Sequence, residues 1–593
     1  MPKQLLFLFW FGISNLSQAA TLSTAHFSAI TETINQAQIA LAEPNPAKAT
    51  HLLETLLTQL VALPASYHKT QGLIQSAEIA QTLDNPILLS QAWGYLGQQY
   101  EQAQHYEDAI TLTRRAIFKA QEAHALAWLI RWTWQLGRLF TAQDQINPAI
   151  QAYQQALQML IPEHRTFRWE MTECQIPKPV SLYRKIRPLF FELADLLLQR
   201  AAQEKTDIAA KQQDLQQARN TLERLKTADL ENYFGDCVTD WQKKFQSVEE
   251  IEDSHAAVIY PILLEKRLEL LVSFPRPNTQ PILQSVIVPV GRAKIALAIR
   301  QFNEQLPDGR YDLESTSYLA AAQQLYGWLI TPLQPMLTQN DINTLVFVPE
   351  GILGTLSIAA LHDGQAFLIE KYAVAIIPGL SLTEPKSRSL TSAQTTVLLS
   401  GITGEIRGYP KLNYAQLEID AITQFYGHFT KILNKQFIMP YLEQVLKKAN
   451  YHIIHIISHA EFAQDVKDSF IITYDGKLTL DQLESLVKFT RHRQQPIELL
   501  TLSACNTAQG DEEWGALGLS GIALKAGARS SLATLWKAHD FVTYSIIKDF
   551  YQQLKPSSQS KAQALQMAQQ ATLESIYHHP FYWAPFVLIG NWL

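Results

Sequence analysis

The chain has 593 residues, which is too long for a single hydrophobic core and predicts several domains. Its composition, 47% hydrophobic and 18% charged, is that of an ordinary soluble globular protein. The formal net charge of −6 excludes a fold-wide basic surface, so we predict no nucleic-acid partner. The sequence lacks the common zinc and calcium motifs, and we therefore predict no metal and no cofactor.

The N-terminus has the three regions of a secretory signal peptide. Lys3 precedes an apolar stretch from Leu5 to Ile13, and small and polar residues follow up to Ala20. This stretch is far shorter than the ~20 residues needed to cross a bilayer. We predict a signal peptide over residues 1–20, an exported protein (periplasmic or secreted) and no membrane span. The alternative is a cytosolic chain whose first helix is hydrophobic.

The three cysteines are compatible with export. In an oxidising compartment, Cys174 and Cys237 would pair and leave Cys505 as the odd free thiol. The alternative is three unpaired, partly buried cysteines.

Residues 21–230 have the apolar spacing of helices. Over residues 47–61 the leucines fall on one helical stripe. Small residues then recur at a spacing of 40 residues, in the pairs Gly97 and Gly137, Ala109 and Ala149, and Ala116 and Ala156. Small residues let two helices of a repeat approach closely, while large ones fill the space between neighbouring repeats. A third, degenerate unit is predicted over residues 183–225.

These repeats resemble the tetratricopeptide repeat, which has the same residue types in the same order but a period of 34 residues. The longer period here predicts longer helices or turns. Stacked repeats curve into a concave surface, so the resemblance implies docking of a protein or peptide substrate or regulator. The alternative is that the repeats only brace the second half.

Residues 231–593 alternate between strands and helices, with the core of the domain at about 310–593. Two strands at 256–264 and 268–273 form a predicted hairpin, and a third strand follows at 284–290. Further segments are predicted in the order helix 293–305, helix 317–329, strand 344–348, strand 373–377, strand 396–400, helix 414–426, helix 515–526 and strand 530–535. This alternation predicts an α/β domain with a mostly parallel sheet and helices on both faces.

Two predicted buried strands are each followed by a side chain that a cysteine peptidase needs, an imidazole after the first and a thiol after the second. The strand at 451–458 is followed by His459, and the strand at 497–504 is followed by Cys505. In a parallel sheet both side chains would emerge at the carboxyl ends of the strands. Cys505 is the predicted nucleophile and His459 its base, with the backbone N–H groups of Ala460 and Cys505 as the oxyanion hole. His452 and His455 lie inside the first strand, where a packed or a surface strand position is expected.

Several motifs in the second half resemble the CHAT family of caspase-like domains, which occur attached to tetratricopeptide repeats. The matching stretches include His452–Phe462 and Leu500–Gly510, together with residues 345–351, 359–364, 516–529, 533–536 and 582–592. The resemblance implies a caspase-like α/β sheet and cysteine peptidase chemistry, with the family's His and Cys at His459 and Cys505. The family usually has Gly after this His, whereas Ala460 stands here and adds a methyl group beside the same N–H.

Asp540 is the candidate for a specificity pocket. A carboxylate at the end of the strand beside the nucleophile strand would select Arg or Lys in a substrate. The alternative role is a helix N-cap. The function predicted for the chain is a cysteine endopeptidase that cleaves after basic residues. A non-catalytic scaffold, favoured by Ala460, is the alternative, and an acyltransferase or amidase with the same pair is a third class.

Overall fold

The computed structural model divides the chain into two compact units, Met1–Arg200 and Ala201–Leu593. It describes residues 24–41, 46–160, 180–234, 255–276, 279–380, 383, 390–391, 395–461, 469–479, 482–483, 485–486, 497–503, 528–555 and 559–593. Within these ranges, none of the helices is long and apolar enough to cross a membrane.

The first unit is an array of helices, as the repeat pattern predicts. Its helices are α1 (Thr24–Leu41), α2 (Pro46–Ala62), α3 (Tyr67–Thr82), α4 (Pro86–Gln102), α5 (Tyr106–Glu122), α6 (Leu126–Ala142), α7 (Ile146–Leu160) and α8 (Val180–Gln203). From α4 to α6, each helix has 17 residues. A helix and its turn together occupy 20 residues, so a helix pair repeats every 40. The long period therefore comes from long helices joined by short turns.

The turns of the array repeat one backbone motif. A residue with positive φ follows each of four successive helices, namely Asp84, Gln104, His124 and Asp144. In each turn the following N–H bonds back to a carbonyl in the last helical turn, as in His105 N to Tyr100 O at 2.9 Å and Ala125 N to Ala120 O at 2.9 Å. This left-handed cap satisfies end carbonyls and reverses the chain, here without glycine.

Glycines allow close helix packing inside the array, as predicted for Gly97 and Gly137. A Cβ at Gly137 would lie 3.0 Å from the Tyr153 ring, and one at Gly97 would lie 2.8 Å from Thr113 Oγ1. Both positions are therefore closed to a larger side chain without movement of a neighbour.

The second unit includes helix α9 (Ile208–Phe234), and its described residues form an eleven-stranded sheet in the order β3-β2-β1-β4-β5-β14-β13-β12-β8-β6-β7. Its strands are β1 (Ala256–Leu263), β2 (Leu268–Arg276), β3 (Thr279–Val288), β4 (Thr344–Phe347), β5 (Ala373–Ile376), β6 (Thr396–Gly401), β7 (His428–Leu433), β8 (Ile453–Ile457), β12 (Leu499–Ser503), β13 (Ser530–Thr534) and β14 (Phe586–Gly590). The pairs β1–β2, β2–β3 and β13–β14 are antiparallel, and the other pairs are parallel. The predicted hairpin and mostly parallel sheet are thus confirmed.

The described helices of this unit lie between the strands along the chain, as in other α/β domains. They are α10 (Arg292–Gln305), α11 (Leu319–Leu329), α12 (Gln334–Gln339), α13 (Ala415–Phe425), α14 (Met439–Lys448), α15 (Asp540–Gln553), α16 (Lys561–Leu573) and α17 (Pro580–Trp583). A small sheet of β9 (Ala460–Glu461), β10 (Phe470–Ile472) and β11 (Lys477–Thr479) follows β8. The helix predicted at 515–526 lies outside the described residues.

Helix α9 covers the edge strand β3. The Gln212 amide donates to Leu283 O at 2.8 Å and accepts from Leu283 N at 3.1 Å. One side chain thereby satisfies both main-chain groups of Leu283, which blunts an edge that could otherwise pair with another chain.

Candidate active site

Strands β8 and β12 are parallel neighbours in the middle of the sheet. Their register pairs Ile457 with Ser503, so the two strands end at the same level. His459 follows β8 at this edge. Cys505 lies outside the described residues, two positions after Ser503 in the chain, and Cys174 and Cys237 lie outside them as well. The two strands are therefore parallel in one sheet, as expected, while the thiol itself stays a prediction.

The His459 ring is held by the segment before α13. Its Nε2 lies 2.9 Å from the carbonyl oxygen of Pro410, and its ring stacks on Tyr409 with centroids 4.9 Å apart. A carbonyl can only accept a hydrogen bond, so Nε2 carries the hydrogen and the neutral ring has its lone pair on Nδ1. The side chain is 9% exposed. The imidazole is thus fixed in ring orientation and tautomer with Nδ1 as its base.

The stacking ring is itself anchored. The Tyr409 hydroxyl donates to Glu461 Oε1 at 2.5 Å, and this bond to the carboxylate, together with burial, raises the pKa of Tyr409. Glu461 belongs to β9, two residues after His459. The Tyr409 ring is therefore tied to the short strand that directly follows His459, which restricts both rings.

Ala460 lies at the start of β9, and the direction of its N–H follows from the hydrogen bonds between β9 and β10. Ile472 N donates to His459 O at 2.8 Å, and the next pair along is Ala460 with Ile471. Since hydrogen-bonded and non-hydrogen-bonded pairs alternate in antiparallel ladders, the Ala460 N–H points away from β10. The methyl group of Ala460 is buried.

Asp540 lies at the same edge of the sheet, after β13. It is the first residue of α15, and its Oδ2 accepts from Tyr414 N at 3.3 Å. The cap position before it is His539, which makes no side-chain capping bond. Tyr414 is four positions after Pro410, so one short segment contacts both His459 and Asp540; four extended residues span at most roughly 14 Å.

Buried polar side chains of β8, β12, α13 and α15 form a hydrogen-bonded network. His455 is fully buried; its Nε2 lies 2.7 Å from Glu418 Oε1 and its Nδ1 lies 3.1 Å from the Tyr551 hydroxyl. Ser503 Oγ donates to Glu418 Oε2 at 3.1 Å. The Tyr551 hydroxyl lies 2.8 Å from Thr501 Oγ1, and burial raises the pKa of Tyr551 well above its usual value. Both β8 and β12 are thus linked to α13 and α15 through hydrogen bonds.

Of the two positions expected for His455, the packed one is correct, but sequence reasoning missed its partners. Glu418 offered a signal, because it lies among the buried residues Ala415, Ile419 and Ile422 of α13, and a lone carboxylate on an apolar helix face needs a partner. The role of Pro410 had no such signal, since every residue has a carbonyl group.

Among comparisons with known proteins, one family model matches the second unit. Residues 319–591 match the family model described as the CHAT domain. A comparison with curated proteins gave no match. Among solved structures, the chain is similar to a chain in the crystal structure of the Saccharomyces cerevisiae separase–securin complex, with 10% identity and a TM-score of 0.42 over 98% of this chain and 51% of that chain.

A second solved structure is BtubC (BKLC) from P. vanneervenii, with 14% identity and a TM-score of 0.19 over 34% of this chain and 91% of that chain. The protein spans about half the length of the chain from the separase–securin complex. Both TM-scores are below 0.5, so the description of the second unit rests on the family match and on its own sheet topology. Residues 319–591 match the CHAT domain and lie in an α/β unit with a mostly parallel sheet, preceded along the chain by an array of helical repeats.

Proposed function

We propose that the protein is an exported cysteine endopeptidase that cleaves after basic residues. Cys505 is the nucleophile and His459 its base, and the repeats dock a protein substrate or regulator. The observation that carries the proposal is the bond between His459 Nε2 and Pro410 O, at 2.9 Å. A catalytic base needs a third group that fixes its orientation, and this carbonyl supplies one while leaving Nδ1 to take a proton.

The reaction follows from these roles. His459 Nδ1 takes the thiol proton, and the Cys505 sulfur bonds to the peptide carbonyl carbon. The carbon–nitrogen bond then breaks, and the imidazolium gives its proton to the leaving amine. Water hydrolyses the thioester, releases the carboxylic acid and regenerates the thiol. The Ala460 N–H, which points away from β10, is a candidate donor to the oxyanion in both steps.

The preference for a basic side chain rests on two carboxylates near the strand ends. Asp540 is half-buried after β13, and Glu461 lies two residues after His459. Because Asp540 Oδ2 accepts from Tyr414 N, its carboxylate is held in place, and a carboxylate can accept further hydrogen bonds from a guanidinium or ammonium. We assign Asp540 to the pocket that receives this side chain.

The test uses purified full-length protein and fluorogenic peptides that end in Arg, Lys, Ala or Asp before the reporter. We expect cleavage of the Arg and Lys peptides by the wild type and none by Cys505→Ala or His459→Gln. Asp540→Asn should lower kcat/KM for the basic peptides by at least tenfold, from the loss of a charge-assisted hydrogen bond of ~1.5–3 kcal/mol, and leave the Ala peptide unchanged.

Alkylation of Cys505 by iodoacetamide separates a peptidase from a scaffold. An imidazole partner keeps a thiol reactive near neutral pH, so alkylation at pH 6.5 should be faster in the wild type than in His459→Gln. No cleavage together with slow, His459-independent alkylation would establish the non-catalytic alternative. Detection of the mature protein in the exported fraction, without residues 1–20, tests the localisation.

A further inference from the structure

A pocket of about 720 Å³ opens in the helical repeat unit. It lies among α4, α6, the end of α7 and α8, and its walls include Trp128, Trp134, Leu160, Ile186, Arg131 and Arg138. Its volume is within the range of ligand-binding pockets, and an apolar lining with a few polar groups is typical of them.

Arg131 is the charged group held in place at this pocket. Its guanidinium lies over three rings, 4.8 Å from the centroid of Tyr95, 5.7 Å from Trp128 and 5.4 Å from Trp132. The two indoles stack on each other with centroids 5.5 Å apart. Arg131 is exposed, and stacking uses the flat faces of its guanidinium while the N–H groups in the plane remain able to bond to a ligand. Across the described residues, no carboxylate forms an ion pair with Arg131.

The second arginine of the pocket is already neutralised. Arg138 Nε and Nη2 donate to the two oxygens of Glu101, at 2.9 Å and 3.2 Å. The indole N–H of Trp134 donates to Glu192 at 2.7 Å. Arg138 and Trp134 are thus engaged by Glu101 and Glu192, whereas Arg131 has no carboxylate partner within the part of the chain that the structure describes. A ligand that fits must therefore offer an anion at Arg131 and an apolar group to the indoles.

We propose that this pocket binds a peptide segment in which an acidic side chain stands next to a bulky apolar one. The carboxylate would pair with Arg131, and the apolar side chain would lie against Trp128 and Trp134. The half-buried Gln98 and the exposed Gln102 on α4 also line the pocket, where their amides can bond to the peptide main chain. The proposal rests on the docking role given to the repeats and is independent of the cysteine chemistry.

Binding is measured by calorimetry on the full-length Cys505→Ala protein, which cannot consume a peptide. The probes are acetyl-Gly-Phe-Glu-Gly-amide and its analogues with Gln or Lys in place of Glu. We expect the Glu peptide to bind about tenfold more tightly than the Gln peptide, as for one charge-assisted hydrogen-bonded pair, and the Lys peptide to bind most weakly.

Adding Arg131→Gln should bring the Glu peptide to the affinity of the Gln peptide. Arg131→Lys should restore only part of the difference, because an ammonium lacks the planar fork. The matched control is Arg115→Gln, which removes an exposed arginine stacked over Trp93 at 5.8 Å that does not line the pocket. This control should leave the three affinities unchanged.

Equal binding of the Glu and Gln peptides, or a preference that survives Arg131→Gln, would overturn the proposal. So would the absence of binding by all three peptides to a folded protein, checked by circular dichroism. Peptide cleavage by the wild type without selective binding at Arg131 would refute this pocket alone. Selective binding in a chain that cleaves nothing would refute the peptidase and leave the pocket standing.

Discussion

The helical repeat unit and the α/β unit are assembled from contacts of different range. In the repeats, each helix packs on the next one along the chain, as α4 does on α5 and α6 on α7. In the sheet, β14 pairs with β5 and β12 pairs with β8, which joins segments far apart in sequence. Contacts between neighbouring helices produce a sequence repeat of fixed length, which predicts the array. Contacts between distant strands produce no such repeat, so the sequence predicts the separate strands but not their pairing.

This difference has an energetic consequence. A change in one repeat acts on that repeat and its neighbours, because each unit contacts only those beside it. A change in the buried network of the sheet acts on β8, β12, α13 and α15 together, since all four contribute hydrogen-bonding groups. We therefore expect larger effects from single substitutions in the network than from those in the repeats.

The largest effect is expected for Glu418→Ala. The substitution leaves His455 and Ser503 without their buried partner, and breaking a buried pair on one side costs roughly 3–5 kcal/mol. Urea unfolding measures the loss. The control is Glu443→Ala, which removes a partly exposed helical pair with Lys447 and should cost about 0.3–0.5 kcal/mol. Equal costs for the two variants would contradict the network.

A smaller loss of stability is expected when His579 of the α/β unit is protonated at acid pH. The residue is buried with its ring against Tyr318, 4.9 Å between centroids, and burial lowers its pKa from 6.5 to about 4. The folded state then binds fewer protons than the unfolded state, so stability falls as the pH drops from 6.5 through 4. The loss is at most roughly 3 kcal/mol, at 1.36 kcal/mol for each pKa unit.

The matched variant for this titration is His579→Asn. Its side-chain oxygen can still accept from Phe581 N, as His579 Nδ1 does at 3.1 Å, but it does not titrate. Unfolding free energies between pH 4 and 7 should depend less on pH in the variant than in the wild type. The same pH dependence in both proteins would show that His579 is not the responsible group.

Packing inside the repeats is tested by Gly94→Ala. A Cβ there would overlap the buried Trp132 ring, so the substitution should destabilise the protein by about 1–3 kcal/mol. Gly327→Ala in α11 is the control, because nothing lies within 4 Å of its added Cβ and alanine favours the helix. Opposite signs for the two thermal shifts are expected. Stabilisation by both would mean that Trp132 can move aside.

The smallest effect is expected at a turn of the repeats. Gln104 has a φ of 62°, a conformation that costs a residue with a Cβ about 1 kcal/mol. Gln104→Gly should therefore raise the melting temperature slightly. Ala103→Gly, at the cap position just before it, where φ is −82°, should lower the melting temperature or leave it unchanged. A lower melting temperature for Gln104→Gly would mean that the Gln104 side chain contributes more than the strain costs.

The repeats and the strands could be predicted because their signals are local. The leucine stripe of 47–61 became α2 (Pro46–Ala62), and the spacing of Gly97 and Gly137 is the distance between equivalent positions of α4 and α6. The apolar runs before His459 and Cys505 became the adjacent parallel strands β8 and β12. Each of these patterns is produced by one element that buries one face.

The partners of the candidate site could not be predicted from such patterns. Pro410 meets His459 through a backbone carbonyl, which carries no sequence signature. Glu418 and Tyr551 meet His455 only because α13 and α15 pack beside β8. The alternative role of Asp540 as a helix N-cap is wrong, because His539 occupies the cap position and the Asp540 carboxylate accepts from Tyr414 N of another segment.

By itself, the sequence determined the helices of the repeats, many strands of the sheet, the length of the repeat and the positions of the candidate His and Cys, because hydrophobic periodicity and strand ends are properties of contiguous residues. Only the tertiary structure decided the order of the strands, the tautomer and orientation of His459, and the formation of the pocket that Arg131 lines. These features depend on distances between residues remote in the chain, which packing sets and a linear pattern does not contain.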